Sequence, residues 1–92
     1  MYVILVYDIQ LDEQGPKVLR KVFKTCKKYL IHIQNSVFEG ELTEGQIFAL
    51  RMELNKFLRN DIDSCIIFKS NNPKWLDKEF WTRADDKTSN LL

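Results

Sequence analysis

The chain opens with an unbroken apolar run. Every residue from Tyr2 to Tyr7 is apolar or aromatic, and the carboxylate of Asp8 follows directly. This composition predicts a strand, extending to Ile9, that is buried on both faces. Because side chains alternate along a strand, one face carries Tyr2, Ile4, Val6 and Asp8 and the other carries Val3, Leu5, Tyr7 and Ile9. Asp8 therefore ends an apolar face, where it forms either a functional site or the start of a turn.

Apolar residues then recur at the three- and four-residue spacing of a helix. The pair Gly15-Pro16 marks a turn with proline at a first helical position, so we predict a helix over residues 16–30. Its outer face carries six cations and no acidic residue: Lys17, Arg20, Lys21, Lys24, Lys27 and Lys28. Such a face is either plain solvated surface or a phosphate-binding surface. The lack of acidic partners four residues away favours phosphate binding.

The residues after this helix alternate as a single strand over residues 31–39. We predict that Ile31, Ile33 and Val37 pack beneath the helices. The opposite face, which includes His32 and Phe38, mixes polar and aromatic side chains and is typical of a contact surface for protein or nucleic acid. His32 has no neighbouring metal-ligating residues, so it is predicted to be a surface or interface residue.

The second half of the chain continues with a helix and a strand. Thr43 and Gln46 have the spacing of a capping box, which begins a second helix that we expect to end near Arg59. An apolar run predicts a central strand over residues 63–69. In the tail we expect an edge strand or helical turn near residues 75–81, which include two tryptophans, and a last short strand near residues 88–92.

Two helices over one face of a small sheet predict the fold class. We expect one domain over residues 1–92, an α+β, ferredoxin-like β-α-β-β-α-β sandwich with a C-terminal edge strand. Its second sheet face, with Ile4 and Val6, is then bare, and a homodimer stacked sheet on sheet covers it. In that dimer the two copies of Asp8 approach each other, which favours a divalent cation between them.

Composition excludes several functional classes. The 14 basic and 13 acidic residues give a net charge of +1, so any nucleic-acid binding has to come from a local patch. Cys26 and Cys65 lack metal-ligand spacing and are expected to be buried thiols. With few cysteines and no secretory signal, a reducing cytoplasm is the expected location. No apolar run approaches the ~20 residues that span a membrane.

Two motifs resemble a known family. The strand ending in Tyr7-Asp8 and the block Gln-x-Ser-Val-Phe over residues 34–38, separated by a basic helix, are similar to the small CRISPR-associated Cas2 proteins. The resemblance covers nearly the whole chain. It implies a homodimer that acts with the Cas integrase in acquiring CRISPR spacers, with residues 82–92 exchanged with the partner subunit.

The same resemblance implies site residues. Asp8 corresponds to the family's metal-site aspartate, Tyr7 to its strand-one tyrosine, Arg20 to a helix arginine and Phe38 to a strand-two phenylalanine. Many members are described as Mg²⁺-dependent endonucleases acting on single-stranded RNA or double-stranded DNA. His32 replaces an arginine found in many relatives, and a second helix arginine is also missing. Both departures weaken phosphate binding there, and neither affects Asp8.

Two functions remain open from the sequence. In the first, paired Asp8 carboxylates hold Mg²⁺ for phosphodiester hydrolysis with Tyr7 as a second catalytic residue, although one carboxylate per chain is few for this cation. In the second, slightly favoured as the biological function, a non-catalytic dimer bridges integrase dimers and binds DNA along its basic helices. The residues assigned to nucleic-acid binding are Lys17, Arg20, Lys21, Lys24, Lys28 and His32, and the residue assigned to an interface is Phe38.

Overall fold

A computed structural model describes residues 1–72 and residue 79 of the protein. Its elements, in chain order, are β1 (Tyr2–Asp8), α1 (Gly15–Tyr29), β2 (Ile31–Gln34), β3 (Val37–Glu41), α2 (Glu44–Leu54) and β4 (Ser64–Ser70). The four strands form one sheet in the order β2-β3-β1-β4, and every neighbouring pair is antiparallel. The predicted α+β class is therefore confirmed. The predictions for residues 75–81 and 82–92 lie outside the described residues, apart from residue 79.

β1 occupies the centre of the sheet, between β3 and β4. Its alternating apolar residues divide as predicted: Val3, Leu5 and Tyr7 are buried, whereas Ile4 and Val6 are only partly buried. The buried set packs in one core cluster with the helices, which contribute Val22, Cys26, Leu50 and Leu54. Burial of β1 on both faces is thus not complete within one chain, because both helices lie on the same side of the sheet.

The segment predicted as one strand over residues 31–39 is a hairpin. β2 and β3 pair around a turn in which Asn35 has a φ of 39°, a left-handed conformation that asparagine tolerates better than most residues. Phe38 is completely buried beneath the helices, while Ile31 is 68% exposed. The predicted orientation is therefore wrong: apolar residues occur on both faces of this hairpin, and the face with the large aromatic ring is the one that fills the core.

The helices begin where the sequence predicts. Pro16 lies in the first turn of α1, and the capping box of α2 is present: the Thr43 hydroxyl accepts from the Gln46 amide and the Gln46 side chain accepts from the Thr43 amide. α2 ends at Leu54, well before the predicted end near Arg59, and the chain leaves it through tight turns. Within the described residues, neither helix has the length and apolarity needed to cross a membrane.

Candidate functional site

The part of the sheet formed by β1 and β4 is apolar and accessible on the side away from the helices, whereas the β3 neighbours of Tyr2 and Ile4 on that side are Glu41 and Glu39. Cross-strand neighbours share a face, so the register that pairs Ile4 with Phe68 and Val6 with Ile66 aligns four apolar side chains there. Phe68 is 59% exposed and Ile66 is 52% exposed. We call this face the open side of the sheet and the helix-packed face its covered side. An antiparallel sheet that faces water normally carries polar residues on that face, so these residues indicate a contact surface.

Asp8 lies at one end of the open side. Its side chain is exposed, and its cross-strand neighbour in β4 is Ser64. A carboxylate oxygen is the kind of ligand that Mg²⁺ prefers, but this cation takes six oxygens. The described part of one chain contains no group of three or more His, Cys, Asp or Glu residues able to hold a metal. Within the described residues, Asp8 of one chain therefore does not make a magnesium site by itself.

Tyr7 cannot act beside Asp8, because successive residues of a strand point to opposite sides of the sheet. Its side chain is 3% exposed on the covered side, and its ring stacks on Phe38 with 6.0 Å between ring centroids. Burial raises the pKa of the Tyr7 hydroxyl far above its usual range. The structure thus places Tyr7 on the opposite side of the sheet from Asp8, and it places Phe38 in the core. The catalytic role of Tyr7 and the interface role of Phe38 stay predictions, and these positions do not favour them.

His32 lies inside an aromatic cluster rather than on a phosphate-binding surface. Its ring centroid is 4.8 Å from that of Phe23 and 4.9 Å from that of Phe38. Its Nε2 donates to the carbonyl oxygen of Asn35 across 2.8 Å, which closes the β2–β3 turn. These contacts fix the orientation of the His32 ring, which packs against two phenylalanines and holds the turn. The assignment of His32 to nucleic-acid binding is not supported by its surroundings.

Of the six cations of α1, Lys27 lies 5.7 Å from the centre of the Phe23 ring, and the other five fall into two groups. Lys17, Arg20 and Lys24 are exposed on its outer surface. Lys21 and Lys28 turn toward α2 and the chain that follows it: Lys21 Nζ lies 5.3 Å from the centre of the Phe57 ring, and Lys28 pairs with Glu53. The hydrogen bond to Glu53 raises the pKa of Lys28. The sequence showed no acidic partner within α1, and the structure supplies one from α2.

The basic face and Asp8 do not form one site. α1 packs on the covered side through Val22 and Cys26, whereas the Asp8 side chain belongs to the open side. The lysines of α1 thus face outward on the far side of the sheet from the carboxylate. The helix cations and Asp8 therefore belong to two separate surfaces.

Arg59 forms a cluster that the sequence did not predict. Its guanidinium donates to the carboxylates of Asp63 and Asp12, at 2.9 and 2.6 Å, and to the carbonyl oxygen of Gln10 at 2.8 Å. The hydrogen bonds from Arg59 hold the pKa of Asp63 and of Asp12 below the usual range. We call these four residues the Arg59 clamp. Only the four-residue spacing of Arg59 and Asp63 is visible in the sequence, because the other two partners are far away along the chain.

Comparison with known proteins decides the family. A sequence profile described as "CRISPR associated protein Cas2" matches residues 1–78. This chain belongs to the Cas2 family. It is 56% identical over 92 residues to the CRISPR-associated endoribonuclease Cas2 of Fusobacterium nucleatum, a match that covers 100% of this chain and 87% of that protein. The CRISPR-associated endonuclease Cas2 of Halalkalibacterium halodurans is 38% identical over 73 residues, which are 78% of this chain and 76% of that protein.

Solved Cas2 structures have the same fold. The crystal structure of Streptococcus pyogenes Cas2 matches with a TM-score of 0.73 at 28% identity, over 86% of this chain and 99% of that chain. A second Cas2 crystal structure matches with a TM-score of 0.74 at 36% identity, over 94% of this chain and 91% of that chain. The resemblance stated from the Tyr7-Asp8 and Gln-x-Ser-Val-Phe motifs is therefore confirmed at the level of family and α+β fold.

Proposed function

We propose that this Cas2 family member acts in CRISPR adaptation as a ferredoxin-like homodimer whose two open sides face each other. The observation that carries this proposal is a row of apolar neighbours on the side of the sheet away from the helices: Phe68 and Ile66 are exposed, and their partners Ile4 and Val6 are only partly buried. A second copy presents the same row, so stacking the two sheets buries both.

In this dimer the two α1 helices lie on the outside, where their cations can contact a nucleic-acid backbone. Lys17, Arg20 and Lys24 provide sequence-independent phosphate contacts on each copy, and Lys21 and Lys28 contribute less because Phe57 and Glu53 engage them. This arrangement suits a scaffold that binds DNA and bridges integrase dimers in the cytoplasm. It needs no catalytic geometry.

The scaffold is tested by the salt dependence of DNA binding. The variant Lys17→Gln/Lys24→Gln removes two phosphate contacts from each copy of the protein. Each lost contact reduces the magnitude of the slope of log affinity against log salt concentration by about 0.9, so the magnitude falls by about 2 for each bound copy. Fluorescence anisotropy of a labelled duplex measures it. The matched control is Arg51→Gln/Lys56→Gln, which removes the same charge from exposed positions on and just after α2. An unchanged slope in the first variant, or an equal change in the control, contradicts DNA binding by α1.

A metal-dependent endonuclease is the second candidate, and the position of Asp8 favours it. Asp8 is exposed at the end of the open side, so two copies in the proposed dimer supply two carboxylates to one seam. Several relatives carry the names endoribonuclease or endonuclease. A bound Mg²⁺ would supply Lewis-acid polarisation of a phosphate and a more acidic water. Asp8 serves as a ligand, and Tyr7 takes no part because it is buried on the covered side.

Adjacent substitutions test this second candidate. Asp8→Asn removes the charged ligand and is expected to abolish Mg²⁺-dependent cleavage of single-stranded RNA and duplex DNA. Tyr7→Phe is expected to retain cleavage close to the wild-type rate. Spacer acquisition is measured for both. If Asp8→Asn loses cleavage but still acquires spacers, the biological function is that of the scaffold. If Asp8→Asn cleaves as fast as wild type, the metal-dependent endonuclease proposal is contradicted.

A further inference from the structure

We infer that Arg59 is a positioning residue for Asp8, on the basis of the proposed metal-binding function of Asp8. Arg59 does not contact Asp8 itself. It acts through Asp63 and through the loop that joins β1 to α1, and it fixes the end of the strand on which Asp8 lies. The contacts of the Arg59 clamp carry this inference in three steps.

The first step is the hold on the chain just after Asp8. Two residues beyond it, both main-chain polar groups of Gln10 are bound by the clamp. The Gln10 amide donates to Asp63 Oδ1 at 3.0 Å, and the Gln10 carbonyl oxygen accepts from an Arg59 Nη at 2.8 Å. A loop held at both polar groups of one residue has little freedom to shift, so the strand end next to it is fixed too.

The second step is the hold on the neighbouring strand. Asp63 directly precedes β4, whose first residue, Ser64, is the cross-strand neighbour of Asp8. Arg59 donates to both oxygens of Asp63, at 2.9 and 3.0 Å, and the Asp63 side chain is completely shielded from solvent. A two-point bond between a guanidinium and a carboxylate fixes orientation as well as distance. The clamp thus ties together the two strand ends that flank Asp8.

The third step is the hold on the start of α1. Arg59 also donates to the Asp12 side chain, and the Asp12 carbonyl oxygen accepts from the Gly15 amide at 3.1 Å. The loop packs so tightly that a Cβ at Gly15 would lie 2.3 Å from the Gln10 carbonyl oxygen. The strand end that carries Asp8 is therefore held by contacts from the β1–α1 loop, from the residue before β4 and from the start of α1.

Loss of such a brace has a measurable effect on a ligand site. Functional groups have to be held to within about 0.5 Å of the productive position, and loss of an outer contact that orients a metal ligand costs roughly 10- to 100-fold in metal affinity. Lysine keeps the charge of Arg59 but lacks the planar fork, so it cannot bind Asp63, Asp12 and Gln10 together. Arg59→Lys is therefore the informative variant, because it keeps the shielded Asp63 carboxylate next to a cation.

The test is Mn²⁺ binding to the purified full-length protein, followed by calorimetry and by electron paramagnetic resonance. Wild type is compared with Asp8→Asn, Arg59→Lys and the control Arg51→Lys, which changes an exposed arginine of α2. We expect Asp8→Asn to abolish binding, Arg59→Lys to weaken it about 10-fold or more, and Arg51→Lys to leave it unchanged. Circular dichroism and molecular mass establish that each variant keeps its fold and its oligomeric state.

Two results overturn the positioning role of Arg59, and only one of them also overturns the proposed metal binding by Asp8. If Arg59→Lys binds Mn²⁺ as wild type does while Asp8→Asn does not, Arg59 is only structural and the metal proposal stands. If Asp8→Asn binds as wild type does, the metal proposal fails and the positioning role fails with it. Should Arg59→Lys not fold, Asp12→Ala replaces it, because it removes the acceptor of one loop contact and leaves the Arg59–Asp63 pair intact.

A kinetic measurement separates positioning from substrate binding. Because the clamp contacts no residue of the basic α1 face that binds phosphate, Arg59→Lys is expected to lower kcat for cleavage while KM for the nucleic acid stays within about twofold of wild type. A raised KM with an unchanged kcat contradicts the positioning role.

Discussion

On the covered side of the sheet, Val3, Leu5 and Tyr7 of β1 pack with Phe38 beneath two helices; on the open side, Ile4 and Val6 of the same strand face away from both helices of the described part of the chain. The two sets alternate along residues 3–7, and each consists of apolar or aromatic side chains. The covered side completes a core within one chain, whereas the open side keeps apolar residues in contact with solvent. Residues that are neighbours in sequence, such as Tyr7 and Asp8, therefore lie in different surroundings, one in the core and one on the surface.

The comparison is tested most strongly by a pair of phenylalanines. Phe38→Ala empties a completely buried position on the covered side and is expected to lower the free energy of unfolding by about 3–5 kcal/mol. Phe68→Ala alters a residue that is 59% exposed on the open side and is expected to cost less than about 1 kcal/mol at protein concentrations where the chain is monomeric. Urea denaturation at several concentrations measures both. Equal decreases in the free energy of unfolding of the two variants at low protein concentration would mean that the two sides of the sheet contribute equally to the stability of one chain.

A charge on the open side sharpens the comparison. Ile66→Lys is tolerated by a single chain, because the site is 52% exposed. In the proposed dimer it brings like charges into a shared apolar interface, at a cost of several kcal/mol, so the dissociation constant is expected to rise by at least about 100-fold. Light scattering measures the mass. The control is Phe48→Lys on the outer surface of α2, which is 64% exposed and is expected to leave the mass unchanged. A dimer that persists in Ile66→Lys contradicts the sheet-on-sheet interface.

A smaller effect is expected at the sheet end where Asp63 is shielded. Because hydrogen bonds from Arg59 lower the pKa of Asp63 in the folded protein, its charged form stabilises the fold above the unfolded pKa of about 3.9. That contribution is lost as the pH falls through the lower folded pKa. The stability difference between wild type and Asp63→Asn should therefore be largest near neutral pH and shrink below about pH 4. Urea denaturation of both proteins across this pH range measures the difference, and a difference that does not change with pH contradicts the role of the Asp63 charge.

The sequence predicted the features that depend on local patterns. Alternation in β1 assigned its residues to the correct sides, with Ile4 and Val6 on a face that the helices leave bare, and the capping box located the start of α2. The same alternation separates Tyr7 from Asp8. The catalytic role for Tyr7 came from the family resemblance, and it conflicts with a geometry that the strand pattern already contained.

Features that depend on distant contacts could not be predicted. Both faces of the β2–β3 hairpin carry apolar residues, so the pattern could not decide that Phe38 and not Ile31 fills the core. The Arg59 clamp joins residues from the β1–α1 loop to residues after α2, and only its Arg59–Asp63 pair is local in sequence. The pairing of Lys28 with Glu53 is likewise a contact between two helices, invisible to charge spacing within one of them.

The accessible apolar row on the open side also has a consequence for how the protein is made. A newly synthesised chain completes its own core and still displays Ile66 and Phe68 to solvent. Exposed apolar surface of this kind is prone to aggregation and to capture by chaperones and proteases until something covers it. If a second copy covers this surface, each chain escapes degradation only when it dimerises. Because dimerisation depends on concentration, the steady-state amount of protein then rises more steeply than its rate of synthesis.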